Sequence, residues 1–307
     1  MYKRIMKNNI LVPEKLEPGD TIGIAAPASP FDLKKFRLGV DVLKSMGFNV
    51  YIPEGIFSRN GYLAGTDHQR ASILNSLFSD KDIKAILCAR GGFGSLKILS
   101  ALDYDKIQKN PKIFIGYSDV TAVLSALYKK CRLITFHGPM AAELGSTSQR
   151  TREAMFSVLS SRADFEIFSR NGTSLKPGTG SGIVLGGNLS TLCHLTGTPY
   201  FPDVGGSILF IEERGEAVYR IDRMLTHMKM AGCFKGISGL VLGSFTDCGS
   251  VKEINKIIAG LFEKIDIPIL SGFTAGHGKE NITIPFGLKA TLDAGGKLLS
   301  FRWPAID

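Results

Sequence analysis

The feature that most constrains this fold is a regular alternation, in the first half of the chain, between short apolar runs and segments of helical periodicity. The apolar runs, which we interpret as strands, cover residues 21–27, 48–52, 83–89, 112–116 and 133–136. After the first run, Phe36, Val40, Leu43 and Met46 recur at helical spacing, and Gly47 ends the pattern. Strands that alternate with helices in this way predict an α/β fold with a parallel sheet covered on both faces.

The pattern changes after Arg150. A short helical segment is followed by a stretch from Asn171 to Gly182 that is rich in Gly, Ser and Thr and is typical of a flexible connector. Further strands are predicted at 208–211, 240–245 and 267–273, helices at 218–230 and 251–265, and a hairpin turn at 294–296. We therefore predict an N-terminal domain over residues 1–150, a linker over 151–182 and a C-terminal domain over 183–307, with the ligand site in the cleft between the domains.

Composition excludes several classes of protein. The net charge is 37 − 28 = +9, but the basic residues are spread along the 307 residues without a clustered stripe, so we expect no nucleic-acid partner. The five cysteines form no C-x-x-C motif, which argues against a disulfide framework or a zinc ribbon and favours a reducing compartment. The sequence has neither a signal-peptide core nor an apolar stretch of membrane-spanning length, so we predict a cytoplasmic protein without membrane contact.

The clearest chemical signal is the motif Gly116-Tyr117-Ser118-Asp119, which follows an apolar strand and precedes a helical pattern. A tight strand-to-helix turn lifts the serine out at the carboxyl edge of the sheet and directs the next backbone N–H at a developing oxyanion. The second glycine of a full nucleophile elbow is replaced by Val120. Ser118 is therefore either a nucleophile or the N-cap of the following helix.

A glycine pair, Gly91-Gly92, follows the preceding strand. Adjacent glycines at the carboxyl end of a strand let backbone amides approach a ligand closely. Two functional interpretations are open: a second oxyanion donor beside Asp119, or a phosphate cradle, although no phosphate-loop spacing is present. An ordinary tight turn is the structural alternative.

A serine nucleophile needs a base, and two of the five histidines are candidates. His277 is flanked by glycines on a loop after a predicted strand, which keeps its imidazole accessible and suits it to general-base work. His137 ends the fifth predicted strand and is placed to line the cleft. We interpret His68, His194 and His227 as structural, with His194 in the core. No histidine pair has the spacing of metal ligands, so no metal site is expected.

The candidate acids follow the predicted strand at 208–211. Glu212, Glu213 and Glu216 lie where a carboxylate on a rigid element can reach a cleft. The alternative is a solvated acidic loop that pairs with Arg214 or Arg220. Because strand side chains alternate and both faces of this strand are apolar, periodicity does not decide between the two adjacent glutamates.

Together these motifs resemble those of the LD-carboxypeptidase family of serine peptidases, which includes muramoyltetrapeptide carboxypeptidases and their microcin-immunity relatives. The resemblance covers nearly the whole chain in the same order. It rests on Pro18-Gly19-Asp20, Ala26-Pro27-Ala28-Ser29, Arg90-Gly91-Gly92-Phe93-Gly94, Gly116-Tyr117-Ser118-Asp119, Phe136-His137-Gly138-Pro139, Gly186-Gly187-Asn188-Leu189, Glu212 to Glu216 with Tyr219 to Arg223, and Gly276-His277-Gly278.

The resemblance implies a flavodoxin-like N-terminal domain with a parallel sheet and a smaller β-rich α/β C-terminal domain. It implies Ser118 as nucleophile, Glu212 as orienting acid and His277 as base, with the amides of Gly92 and Asp119 as the oxyanion hole. The implied reaction releases the terminal D-alanine of a murein tetrapeptide at an L,D bond, without metal or cofactor, in a homodimer.

Three alternatives remain at this point. The first, a basic nucleic-acid binder, would be retained on heparin and would show a steep salt dependence. A microcin-immunity-type hydrolase of peptidyl-nucleotide conjugates would need an aromatic residue beside the site to stack on the nucleobase, and the only tryptophan, Trp303, lies at the end of the chain. A non-catalytic α/β protein that binds a small ligand would keep its binding when Ser118 is replaced.

Overall fold

The computed structural model describes residues 10–304, and the strands form two sheets. The parts of the predicted domains at residues 1–9 and 305–307 lie outside the described residues. The strands are β1 (Thr21–Ala25), β2 (Asn49–Tyr51), β3 (Ile83–Cys88), β4 (Ile113–Gly116), β5 (Thr135–His137), β6 (Phe165–Phe168), β7 (Thr173–Lys176), β8 (Thr179–Asn188), β9 (Ile208–Arg214), β10 (Gly239–Thr246), β11 (Ile269–Ser271), β12 (Ile284–Phe286), β13 (Lys289–Asp293) and β14 (Leu298–Arg302).

The helix predicted after β1 and the helices predicted at 218–230 and 251–265 are present, and the last of them ends at Leu261. The described residues form ten α-helices. They are α1 (Leu33–Ser45), α2 (Asp67–Ser79), α3 (Ser95–Ile98), α4 (Tyr104–Lys109), α5 (Thr121–Cys131), α6 (Ala141–Leu144), α7 (Gln149–Ser160), α8 (Leu189–Leu195), α9 (Val218–Met230) and α10 (Val251–Leu261). In α1 the apolar positions Phe36, Val40 and Leu43 are buried, as their spacing predicts. Within residues 10–304 no helix is both long and apolar enough to cross a membrane.

The first sheet contains the parallel strands in the order β2-β1-β3-β4-β5, which is the flavodoxin order. The residues of β4 are all buried, and in β3 only Lys84 is exposed. Such strands are covered by helices on both faces, which explains their near-continuous apolar sequence. The predicted α/β class with a flavodoxin-like parallel sheet is therefore confirmed.

The second sheet is mixed, in the order β6-β14-β13-β8-β9-β10-β11-β7. Its central strands β8, β9, β10 and β11 run parallel, and antiparallel strands extend it on both sides. The strand β12 belongs to the second half of the chain by sequence, but it pairs antiparallel with β5 of the first sheet. The two halves of the chain are thus connected through a shared strand pairing as well as through the backbone.

The stretch 171–182, which we interpreted as a flexible connector, is ordered as β7 and the first part of β8, so that expectation is wrong. Its glycines serve close packing: a Cβ on Gly180 would lie 2.0 Å from the carbonyl oxygen of Ser238, and one on Gly182 would lie 2.1 Å from that of Gly206. Glycine is required here because another backbone passes close by. The domain boundaries at 150 and 182 stay a prediction.

The sheets bring several strand ends to one place. The turn after β4 carries Ser118, the turn after β3 carries Gly92, and β9 ends with the glutamate pair. Carboxyl ends of parallel strands are where open α/β sheets bind ligands. The fold therefore gathers the candidate site residues from both sheets at one cleft.

Candidate active site

Ser118 lies in the sharp turn between β4 and α5, with a backbone φ of +62°. A non-glycine residue in this left-handed region costs about 1–3 kcal/mol, a strain that is typical of functional sites. The turn is tight because Gly116 has no side chain: a Cβ there would lie 2.6 Å from Cγ1 of Val120. The Ser118 side chain makes no helix-capping hydrogen bond and contacts His277 instead, so the N-cap alternative is not what the structure shows.

His277 lies on the loop after β11 and connects Ser118 to Glu212. Its Nε2 is 3.1 Å from Ser118 Oγ, and its Nδ1 is 2.6 Å from Glu212 Oε2. Gly276 permits this approach, because its φ is +100° and a Cβ there would lie 2.6 Å from Glu212 Oε2. With Nδ1–H donating to the carboxylate, Nε2 is left as the acceptor for the serine hydroxyl.

Glu212 and Glu213 point in opposite directions from β9, as strand alternation requires. Glu212 is fully buried, and its Oε2 also accepts a hydrogen bond from the backbone N–H of His277 at 3.2 Å. Glu213 is engaged elsewhere: Oε1 accepts from Asn188 Nδ2 at 2.9 Å, and Oε2 accepts from the N–H and the hydroxyl of Ser190 at 2.7 and 2.6 Å. The two neighbours therefore belong to different hydrogen-bond networks, and only Glu212 contacts the imidazole.

The environment of His277 favours its protonated form. Burial disfavours the imidazolium, but the hydrogen bond and the negative charge of Glu212 outweigh that penalty, so the pKa of His277 lies above its usual value. The buried Glu143 adds a smaller contribution in the same direction. An imidazole in this setting is well placed to receive a proton from Ser118.

The glycine loop after β3 packs directly against Ser118. A Cβ on Gly91 would lie 3.0 Å from Ser118 Cβ, and Gly92 has a φ of +109° with Ser29 Oγ 2.4 Å from where its Cβ would be. The carboxylate of Asp119 accepts a hydrogen bond from the N–H of Ser95 at 2.8 Å and so ties the serine turn to this loop. The two residues that the resemblance implies for the oxyanion hole, Gly92 and Asp119, line the same cavity as Ser118.

Of the residues described above, Gly92, Ser118, Asp119, Asn188, Ser190, Glu213 and His277 line a cavity of about 400 Å³, whose wall also includes Phe93, His194, Arg214 and Glu216. A larger cavity of about 930 Å³ lies between residues 10–17 and 160–163, and its wall includes none of Ser118, Glu212 and His277, so its size alone does not make it a functional site. The part of the chain that the structure describes contains no group of three or more His, Cys, Asp or Glu side chains arranged to hold a metal ion.

Sequence reasoning missed a pair of residues beside His277, Tyr117 and Glu143. The ring of Tyr117 lies 4.7 Å from that of His277 between centroids, and its hydroxyl donates to Glu143 Oε1 at 2.6 Å. Burial raises the pKa of Glu143, although the Tyr117 hydrogen bond partly opposes it. The position of Tyr117 next to Ser118 was an available signal, whereas nothing in the local pattern around Glu143 indicates this contact.

Two histidine interpretations are wrong. His137 does not line the cleft: it is fully buried among the rings of Tyr117, Phe210 and Phe286 because β12 closes over the end of β5. His194 is not a core residue: it is exposed at the cavity wall, with Nδ1 2.6 Å from the carbonyl oxygen of Ser190.

Comparison with known proteins adds family information to this geometry. A model of the LD-carboxypeptidase N-terminal domain matches residues 22–138, and a model of the LD-carboxypeptidase C-terminal domain matches residues 181–292. The chain is 37% identical to the probable murein peptide carboxypeptidase of Bacillus subtilis over 93% of this chain and 92% of that protein. It is 31% identical to the murein tetrapeptide carboxypeptidase of Pseudomonas aeruginosa over 92% of this chain and 94% of that protein.

Two further similarities are to a microcin self-immunity protein and to an MccF-like protein. The chain is 32% identical to the microcin C7 self-immunity protein MccF of Escherichia coli, covering 96% of this chain and 97% of that protein. The crystal structure of an MccF-like protein from Bacillus anthracis superposes with a TM-score of 0.90 at 29% identity, covering 96% of this chain and 100% of that chain.

Proposed function

Because this chain belongs to the LD-carboxypeptidase family, we propose that it is a serine carboxypeptidase that releases the terminal D-alanine of murein tetrapeptides at an L,D bond. The similarity to murein peptide carboxypeptidases supports the substrate class. The observation that carries the serine mechanism is the continuous chain of contacts from Ser118 through His277 to Glu212. The serine, the imidazole and the buried carboxylate have the mutual geometry of a catalytic triad.

In this mechanism Nε2 of His277 accepts the proton of Ser118 as the hydroxyl attacks the scissile carbonyl carbon. Glu212 holds the ring in the required tautomer and stabilises the imidazolium. The amides of Gly92 and Asp119 donate to the oxyanion of the tetrahedral intermediate, each contributing about 3–4 kcal/mol. The imidazolium then protonates the departing D-alanine amine, and a water molecule, activated by the same histidine, hydrolyses the acyl-enzyme.

The direct test is incubation with purified murein tetrapeptide and mass spectrometry of the product. We expect the loss of one alanine by the wild-type chain, undiminished by EDTA because the mechanism uses no metal. Ser118→Ala should abolish turnover while the melting temperature stays near that of the wild type, since the serine side chain makes no capping bond. Loss of activity with EDTA and its rescue by zinc, or turnover by Ser118→Ala, would contradict the serine mechanism.

The second candidate function is hydrolysis of a peptidyl-nucleotide conjugate, suggested by the similarity to the microcin C7 self-immunity protein. Trp303 is buried under the guanidinium of Arg162 and is not at the site. An aromatic surface is nevertheless present: Phe93 lines the cavity, is 49% exposed and lies 5.6 Å from the exposed ring of Tyr62 between centroids.

The two candidates are separated by comparing kcat/KM for a peptidyl-nucleotide conjugate and for the tetrapeptide. If a nucleobase stacks on Phe93, Phe93→Ala should reduce kcat/KM for the conjugate by roughly 10-fold or more and spare the tetrapeptide. Equal effects on both substrates would remove the reason for this second candidate. A homodimeric assembly and a cytoplasmic location stay predictions from the resemblance and the cysteine pattern.

A further inference from the structure

Among the described residues that line the cavity of Ser118, one side chain carries a permanent positive charge, Arg214 at the end of β9. Arg214 pairs in register with Thr246 of β10, whose hydroxyl donates to the carbonyl oxygen of His277 at 2.9 Å. Its positive charge also partly offsets the burial that raises the pKa of Glu143. The backbone of Arg214 therefore belongs to the same strand pair that contacts the histidine loop, and its charge acts on the buried Glu143 near His277.

The carboxylates of the same wall are already engaged with other partners. Glu213 accepts hydrogen bonds at both oxygens, Asp119 accepts from the N–H of Ser95, and Glu216 pairs with Arg220 at 3.4 Å. Within residues 10–304 none of these three carboxylates forms an ion pair with the guanidinium. The charge of Arg214 is thus not neutralised by any of the three carboxylates that line the cavity with it.

The ion pair that Arg214 does form is weak. Its Nε lies 3.6 Å from Asp247 Oδ2, and the two side chains are 59% and 68% exposed, so solvent screens the interaction. Among the described residues the two terminal nitrogens of the guanidinium have no hydrogen-bond acceptor. A planar fork of this kind matches a carboxylate, which it binds through two parallel N–H···O bonds.

We propose that Arg214 forms a carboxylate-binding subsite of the active cavity and selects substrates that carry a free carboxylate in one of the two residues that flank the scissile bond. This inference rests on the proposed carboxypeptidase function. Two carboxylates of a murein tetrapeptide meet the description. One is the terminal carboxylate of the departing D-alanine, and the other is the side-chain carboxylate of a dicarboxylic diamino acid in the third position.

The experiment measures kcat/KM of the wild type and of Arg214→Gln on three peptides. The first is a tetrapeptide with diaminopimelate in third position, the second is the same peptide with lysine there, and the third is the lysine peptide as its C-terminal amide. Charge-assisted hydrogen bonds lead us to expect that Arg214→Gln loses about 10- to 100-fold on any peptide that presents the recognised carboxylate. Arg214→Lys keeps the positive charge but not the planar pair of N–H donors, so its kcat/KM should lie between those of the wild type and Arg214→Gln.

The pattern of losses identifies the carboxylate. Losses on both free acids but not on the amide assign Arg214 to the terminal carboxylate. A loss confined to the diaminopimelate peptide assigns it to the side-chain carboxylate. Equal kcat/KM of Arg214→Gln and the wild type on all three peptides would overturn the subsite and leave the proposed function intact. The control is Arg302→Gln, which removes one exposed positive charge from the same sheet outside the cavity and should change nothing.

Binding by calorimetry separates the subsite from turnover. In a Ser118→Ala background, the dissociation constant of the recognised free acid should rise about 10- to 100-fold when Arg214→Gln is added, and that of its amide should not. If the wild type cleaves none of the peptides, the proposed function fails, and the calorimetry still decides the subsite. No binding, or binding that is unaffected by Arg214→Gln, would overturn it.

Discussion

Two histidine rings pack against the ring of Tyr117, His277 at 4.7 Å and His137 at 5.6 Å between centroids. The first lies on a loop after β11 and bonds to Ser118 and Glu212. The second ends β5 and is surrounded by aromatic side chains, and neither of its nitrogens has a hydrogen-bond partner among the described residues. Although they share a neighbour, they have entirely different chemical surroundings.

Burial alone would lower the pKa of both imidazoles, and the outcome depends on what else each one contacts. For His137 burial dominates and lowers the pKa to about 4, although the charge of Glu212 acts in the opposite direction. For His277 burial is again the largest single influence, but the hydrogen bond to that same carboxylate and the negative charges of Glu212, Glu143 and Glu213 together outweigh it and raise the pKa. Of these two buried histidines, only the one with a carboxylate at hydrogen-bond distance has a raised pKa, and for the other the more distant charge of Glu212 does not offset burial.

The strongest test of this comparison is His277→Ala. It removes the group that accepts the proton of Ser118, so we expect kcat to fall on the order of 10⁶-fold, as in other serine triads that lose their histidine. The tetrapeptide assay measures the loss, and a thermal melt confirms folding. Activity within tenfold of the wild type would mean that another base serves Ser118.

The next largest effect is expected for Glu212→Gln. The variant keeps the shape of the side chain but removes its charge and the tautomer it imposes, and breaking the analogous acid in a Ser-His-Asp enzyme costs about 10⁴ in turnover. We expect a loss of that order in kcat with little change in KM. If neither Glu212→Gln nor Glu213→Gln is impaired, His277 is oriented by something else and the proposed triad is wrong.

The same variant should also change the pH profile. The protonated His277 cannot accept the proton of Ser118, so kcat/KM falls as the pH drops through the pKa of His277, which Glu212 holds above its usual value. Removing that charge lowers this pKa, and the acidic limb of the residual activity should move to lower pH. If the acidic limb of the profile stays at the same pH, a group other than His277 causes it.

The local sequence pattern was sufficient to predict the elements that carry the triad, and strand alternation predicted that Glu212 and Glu213 diverge. It did not decide which glutamate contacts His277, because both faces of β9 are apolar and the choice depends on where the loop after β11 lies. The resemblance supplied that choice. The contact is between residues 65 positions apart, which no local periodicity encodes.

The burial of His137 and the strands formed by residues 171–182 were mispredicted because both depend on contacts with distant parts of the chain. His137 is enclosed because β12, more than a hundred residues later in the chain, pairs with β5. The glycine-rich segment became strands because β11 and β13 provide pairing partners and its glycines fit beneath passing carbonyls. Both outcomes depend on tertiary pairing, which composition and short-range spacing do not report.

A smaller effect, on stability rather than turnover, is expected for Glu213→Gln. Its two carboxylate oxygens face donors from Asn188, Ser190 and the N–H of Arg214, and an amide would turn one N–H towards a donor. We expect the free energy of unfolding to fall by about 1–3 kcal/mol while most of kcat is retained. If Glu213→Gln is instead the inactive variant, the assignment of the acid has slipped by one residue.

The smallest effect at neutral pH is expected for His137→Phe, the counterpart of His277→Ala. A phenyl ring of similar shape fits an aromatic pocket without the two unpartnered nitrogens, so we expect kcat near the wild-type value. Slight overpacking and the loss of buried polar atoms act in opposite directions, which keeps the change in unfolding free energy within about 1.5 kcal/mol. A large loss of kcat would show that His137 takes part in the reaction.

The wild type and His137→Phe should differ in stability at acidic pH, although they differ little at neutral pH. Since the pKa of His137 is about 4 in the folded protein, against a usual value of 6.5, the unfolded chain binds a proton that the folded chain does not in the interval between. The wild type therefore loses stability as the pH falls from 6.5 towards 4, and His137→Phe is spared that part of the loss. His277 has the opposite sign: its raised pKa adds stability as the pH falls towards 6.5, and below 6.5 this contribution is fully present in both proteins. Melting curves of the two proteins across this interval should diverge in favour of His137→Phe as the pH falls. If the melting temperatures of the two proteins fall in parallel, His137 is protonated as readily in the folded protein as in the unfolded chain. Burial would then not explain the difference between His137 and His277.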